Sequence, residues 1–308
     1  MILKHLINSK SFVIFFIALS LITFNIIPFI RNSFNDVYDS LFLNPFIEYI
    51  LVIILVFLNA MKLNNIIYEK NVIRKNNLVV ACVFLLLNAL FINDFLSLIH
   101  CYIILIFLDI LFDSYQKKYP FSNFFNSGLI IGLLSLFFLN IITCYIIILV
   151  AGITFNNLNW RTFTASLIGL IIPFIFYFMF IFCLDITNFS TLISSLLNTK
   201  QKILYSNSSF FMTISFVLSF CFSLIELYRW IYKKSIRSRK SFIVILSFLC
   251  VCIAIFIMSN YTLLYFSIIP LSIIISNYLI YYRNRLIAEL VFLLLIVSSF
   301  VYRYMIII

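Results

Sequence analysis

The sequence predicts an all-α, polytopic membrane protein with about eleven transmembrane helices, nine if one tight hairpin does not span. Apolar residues make up 65% of the 308 positions and charged residues 10%. So few charges cannot cover a soluble surface of this size. Apolar runs of about 20 residues recur from end to end, each able to cross a hydrocarbon core of about 30 Å. Basic residues concentrate in alternate connections between those runs. No segment is long or polar enough for a separate soluble domain, so 1–308 reads as a single integral membrane domain.

The first run, Phe12 to Ile30, follows Lys4, His5 and Lys10. Its apolar part exceeds that of a signal peptide, and no small-x-small cleavage site follows, so it reads as a retained helix. The other runs are 43–61, 78–92, 95–112, 124–139, 141–155, 163–184, 210–228, 241–259, 263–280 and 286–302. Two connections are very tight: Asn93 with Asp94, and Asn140. The runs flanking Asn140 span only about 22 Å each. The segment 124–155 therefore reads either as two spanning helices or as a re-entrant pair buried in protein.

Charge then orients the chain. The even-numbered connections hold Lys62, Lys70, Arg74 and Lys75 with Glu69 (62–77), and Lys117 and Lys118 with Asp113 (113–123). Arg161 follows in 156–162, then Arg229, Lys233, Lys234, Arg237, Arg239 and Lys240 in 229–240, and Arg283 and Arg285 in 281–285. The odd-numbered connections hold Arg31, Asp36, Asp39, Asp94, Asp185, Lys200 and Lys202. Positive segments resist translocation, so the even side is cytoplasmic, the N-terminus inside and the C-terminus outside. The net charge of +11 thus reports topology, not nucleic acid.

The 38 Phe read as lipid-facing surface and not as a platform for bases. Cys82, Cys101, Cys144, Cys183, Cys221, Cys250 and Cys252 lie in apolar runs and form no CxxC pair. They read as small apolar helix residues, with no metal site or disulfide framework. Walker, GxSxG, HExxH and dinucleotide motifs are absent, which argues against ATP-driven transport by this chain alone.

Several residue groups carry candidate chemistry. Asp36 and Asp39, in FNDVYDS between the first two helices, are candidate catalytic carboxylates at the outer face; a solvated turn gives the same composition. Glu48 and His100 enter their helices from the outer side, both roughly 8 Å below the boundary. Ionisable groups at that depth must face protein or a wet cavity. With Asp94, Arg31 and the two aspartates they could line one vestibule; the favoured reading is structural, with Glu48 hydrogen-bonded to a neighbouring helix and His100 as an interfacial polar residue. The outer connection 185–209 places Phe189, Leu192, Ile193, Leu196 and Leu197 at helical spacing, predicting a short amphipathic helix on the outer leaflet. Lys200 and Lys202 beside it suit lipid phosphate. Gly128 and Gly132 form a GxxxG helix-packing motif, read as intramolecular. Glu226, Glu289 and Asp109 lie near helix ends as satisfied charges. The basic stretch 229–240 suits anionic lipid headgroups.

The block from Asn44 to Phe178 resembles a family of multi-pass inner-membrane proteins of Gram-negative bacteria, of unknown function. The likeness rests on NPFIEYIL, LNNIIYEKNVIRKNN, LDILF, FNSGLIIGLLSLFF and NLNWRTFTASLIGLIIPFIFYF. It implies a bacterial inner-membrane location. A more distant resemblance is to GT-C membrane glycosyltransferases, which place an acid in the first outer loop. That resemblance implies Asp36 or Asp39 as a base or divalent-cation ligand, with Lys200, Lys202 or Arg31 neutralising a polyprenyl phosphate.

The functional expectation is therefore a protein of cell-envelope biogenesis acting on polyprenyl-phosphate-linked glycan at the outer face. The alternatives are a non-catalytic membrane subunit of an envelope or secretion complex, in contact with other membrane proteins, and a secondary transporter or lipid flippase. Glu48 and His100 would be the coupling groups of the last.

Overall fold

A computed structural model describes residues 3, 6, 14, 17–21, 45–75, 77–89, 95–183, 207–258 and 265–306. Among the described residues the chain is helical throughout, without a strand. Residues 17–21, in the first apolar run, are helical. From there the elements are α1 (Pro45–Glu69), α2 (Val79–Asn88), α3 (Phe95–Asp113) and α4 (Phe121–Phe137). A 3-10 turn (Leu139–Cys144) leads into α5 (Tyr145–Thr154), followed by α6 (Trp160–Cys183) and α7 (Asn207–Trp230). The chain ends with α8 (Ile236–Met258), α9 (Ile268–Tyr281) and α10 (Arg285–Ile306).

Among the described residues, five helical segments are long and apolar enough to cross a membrane: Ile50–Glu69, Trp160–Cys183, Phe211–Arg229, Ile236–Phe256 and Arg285–Tyr302. Their outward faces are strongly apolar. On α6, Phe176, Phe180 and Phe182 are 68%, 64% and 83% exposed. Such a patch suits hydrocarbon and not water. Two of the shorter helices, α9 and α2, are enclosed. On α9 every residue from Ile268 to Ile280 is buried except Leu271, and most of α2 is buried. A ten-residue helix such as α2 reaches only about 15 Å, so protein must supply the surroundings that its ends cannot reach.

Helix bounds differ from the apolar runs at the basic ends. α1 continues to Glu69, so Lys62 lies on a helix and not in a connection. The reason is visible in Leu63, Ile66 and Ile67, which are buried at helical spacing beyond the apolar run. Arg161 likewise sits in the first turn of α6, and Arg237, Arg239 and Lys240 in the first turn of α8. Charge marks where hydrocarbon ends, not where the helix ends.

With four glycines in the chain, helix termination falls to amides. Asn71, Gln116 and Asn156 take positive φ just after α1, α3 and α5. This left-handed cap returns N–H groups to the last carbonyls: Val72 N–H to Ile67 O, and Leu158 N–H to Gly152 O. Asn tolerates that conformation because its short side chain bonds locally.

The chain divides into two compact units. The first comprises Met1–Tyr102, Leu204–Ser235 and Ile268–Ile308; the second, Ile103–Ile203 and Ile236–Ser267. In the first unit, α9 packs against α2 and α7, and α7 also packs against α10. Side-chain hydrogen bonds join helices inside it. Ser215 Oγ donates to Ser298 Oγ at 2.7 Å across α7 and α10. Asn59 Nδ2 donates to Leu98 O at 3.1 Å across α1 and α3. In the second unit, the tightest pair is α4 and α6. A Cβ built on Gly128 collides with the Ser166 carbonyl, and one on Gly169 with the Phe125 carbonyl. One on Gly132 would lie 2.5 Å from the Leu170 carbonyl and 3.0 Å from Pro173 Cγ. The two backbones touch where side chains are missing.

Candidate functional site

Of the residues singled out in the sequence, Asp36, Asp39, Arg31, Asp94, Lys200 and Lys202 lie outside the described residues, as does the predicted 185–209 helix. Glu48 is on the first turn of α1, with its side chain outside the description. His100 is buried at 3% exposure on α3. The two were expected at one depth, but the Asn59–Leu98 hydrogen bond sets a different stagger. Glu48 lies eleven residues before Asn59, roughly 16 Å along α1, while His100 is one short step from Leu98. Their backbones are therefore on the order of 15 Å apart. His100 sits level with the middle of α1, and a shared vestibule would need to be that deep.

Basic and aromatic side chains converge at the basic connections, a grouping the sequence does not reveal. In the first unit, the segment after α1, the segment after α7 and the end of α9 meet around Tyr281. Lys75 Nζ lies 5.2 Å and Lys234 Nζ 5.3 Å from the Tyr281 ring centroid. Two ammonium groups on one ring is a cation–π arrangement in which the ring's negative face offsets part of the repulsion. The Tyr281 hydroxyl meets the backbone N–H groups of Arg74 and Lys75, which fix the ring.

Lys234 also donates to Asn277 Oδ1 on α9. Asn277 is 1% exposed. Its Nδ2 is buried without a hydrogen-bond partner among the described residues, and so is the hydroxyl of neighbouring Tyr278. A buried orphan donor costs about 1–3 kcal/mol, and such groups call for an explanation. Desolvation pushes the Lys234 ammonium down to about 7 from the ordinary lysine range. Below this layer, Glu226 on α7 is buried and interacts electrostatically with Tyr278. Tyr278 stacks on Phe222, with centroids 6.3 Å apart, and meets the Tyr282 ring at a 42° tilt, 4.7 Å away.

The second unit repeats the theme with other residues. Arg237 Cζ and Lys240 Nζ, in the first turn of α8, lie 5.2 and 5.9 Å from the Tyr115 ring. Phe155 meets the same ring edge-on at 5.3 Å. Asn157 Nδ2 donates to Ser114 O at 2.6 Å, which ties the connection after α5 to the one after α3. Lys117 Nζ donates to Asn123 Oδ1 at 3.1 Å. Helix α8 has no acid in its first turn. Its basic residues therefore face the positive end of the helix dipole, an arrangement that an anion would relieve.

The signal for both clusters was present in the sequence as basic residues interleaved with tyrosines. Missing was which tyrosine each cation would meet, because those pairs are 47 to 206 positions apart. The cysteines are free thiols on helices. Among the described residues no three His, Cys, Asp or Glu come together as a metal site. Asp36 and Asp39, which the GT-C resemblance would give to a divalent cation, lie outside that set. Comparison with family models, with curated proteins and with solved structures returns no match, so function is read from the chain's own side chains.

Proposed function

We propose that this chain is a multi-pass protein of the bacterial inner membrane that engages phosphate-bearing lipid at its cytoplasmic side during cell-envelope biogenesis. The N-terminus lies inside, the C-terminus outside, and about eleven helices cross the bilayer. The observation that supports this most is the pairing of cations on Tyr281 and on Tyr115. Every connection contributing to either cluster is one that the charge alternation assigns to the cytoplasmic side. Aromatic rings fixed at that level with Lys and Arg around them suit the interface between hydrocarbon and anionic headgroups.

The test is headgroup dependence of the purified protein in lipid nanodiscs. Replacing neutral phosphatidylcholine with an anionic lipid should raise the unfolding midpoint at low salt, and Arg237→Gln with Lys240→Gln should reduce that gain. A midpoint indifferent to headgroup charge contradicts the reading.

Separately, for the outer face, polyprenyl-phosphate-linked glycan is the substrate class we propose, with transfer on Asp36 and Asp39. Its support is the pair of carboxylates beside the first helix and the need of a hydroxyl acceptor for a base. Alanine at both positions should abolish an envelope-glycan phenotype while protein abundance holds. Undiminished glycan in the double variant removes the catalytic part and leaves the lipid-binding part intact.

A further inference from the structure

The geometry points to a built site for one phosphomonoester group, formed by Lys234, Asn277, Lys75 and the Tyr281 ring. This rests on the lipid reading above and narrows it from a charged surface to a defined headgroup.

The Tyr281 cluster differs from the rest of the basic side in three respects. Its cations come from two chain segments far apart in sequence and converge on one ring. One of them, Lys234, is itself half-buried on a buried amide, whereas Lys117 on Asn123 is exposed. The same amide carries an unused donor, Asn277 Nδ2. An ammonium and an amide N–H₂ side by side, with a second, exposed lysine on the same ring, offer donors and two positive charges to a single anion.

Charge matching selects the ligand class. A phosphomonoester carries about −1.5 to −2 charges at pH 7, with three acceptor oxygens. A phosphodiester carries one charge and two free oxygens. Two lysines and an orphan donor complement the monoester. Burial lowers the proton affinity of Lys234, and a bound dianion would restore it. The exposed Lys75 marks the side from which a headgroup enters, while the buried Asn277 marks the depth it reaches. Arg74 lies beside the same ring and adds long-range attraction. Glu226, one layer below at Tyr278, sets the limit beyond which an anion is repelled.

The occupant could be a lipid phosphate or a free phosphate, and the experiment separates them. Full-length protein in phosphatidylcholine nanodiscs is titrated with phosphatidic acid, a monoester, with phosphatidylglycerol, a diester, and with inorganic phosphate. The monoester lipid should bind about tenfold more tightly than the diester, the value of one charge-assisted hydrogen bond. Lys234→Met, Asn277→Leu and Lys75→Gln should each erase that preference. Lys75 is exposed, so its variant keeps the test valid if a buried substitution unfolds the protein. Equal binding of the two lipids, or a preference that survives in Lys75→Gln, overturns the site. Inorganic phosphate competing as well as the monoester lipid overturns the lipid assignment. Diester binding without monoester preference sinks this inference and spares the broader lipid reading; no binding of either lipid sinks both.

Discussion

Gly128→Val should separate α4 from α6 and cost about 3 kcal/mol or more, enough to abolish accumulation of folded protein. The new side chain would meet the Ser166 carbonyl, which belongs to the backbone of the facing helix and cannot rotate away. Gly169→Val drives the same pair apart from the other side, against the Phe125 carbonyl. Overpacking normally costs about 1–3 kcal/mol because neighbouring side chains shift; here a whole helix must move. Gly152→Ala is the control. Its Cβ would meet Leu158 Cδ1 at 2.9 Å, the far end of a flexible side chain. Alanine also gains about 1 kcal/mol of helix propensity over glycine. Thermal unfolding in detergent should place Gly152→Ala near the parent and both valine variants far below it. Parent-like stability in Gly128→Val would show that the backbones are not in contact.

The second large effect is electrostatic. Stability should rise as pH climbs from about 7 toward 10, and Lys234→Met should flatten that slope. Lys234 in the folded protein loses its proton near 7, whereas the ordinary lysine value is 10.5. Between those values the unfolded chain holds a proton that the folded chain lacks, so raising the pH favours folding. Below about 7 both states are protonated, and the folded state carries the full cost of a buried ammonium. Phosphate binding runs the opposite way, since it uses the charged form and should weaken above about 7. Among the described residues, the groups around Lys234 include Tyr281, Asn277 and the exposed Lys75, with Arg74 beside the ring and the Glu226–Tyr278 pair beneath. Unfolding midpoints at pH 6 to 10 for parent and Lys234→Met check the sign; parallel profiles would assign the slope to another group.

Much of the helical layout was legible because hydropathy and length act locally. The apolar runs at 43–61 and 163–184 foreshadow α1 and α6 to within a few residues at the ends facing hydrocarbon. The basic ends were misjudged: Lys62, Arg161 and Lys240 look like loop residues by charge, yet the helices carry them past the apolar boundary. The GxxxG at Gly128 was visible, but its partner glycine, Gly169, was not, since nothing local names the facing helix. The site was the least legible part. Glu48 and His100 drew attention as charges at membrane depth, whereas Asn277 and Tyr278 are uncharged and look like ordinary helix residues. Their weight comes from burial and from a lysine 43 positions away, which is a property of packing.

The most direct test of the central claim, that the lysine- and tyrosine-bearing connections share the cytoplasmic side, is site-directed cysteine labelling. In a background with the seven native cysteines replaced by alanine, single cysteines are placed at Lys117, Lys233 and Arg283, and at Ser33 and Ser206. A membrane-impermeant maleimide should label Ser33→Cys and Ser206→Cys in intact spheroplasts. It should reach Lys117→Cys, Lys233→Cys and Arg283→Cys only after the membrane is opened. Labelling of any of those three in intact spheroplasts would put the clusters on different sides and contradict both the topology and the lipid reading built on it.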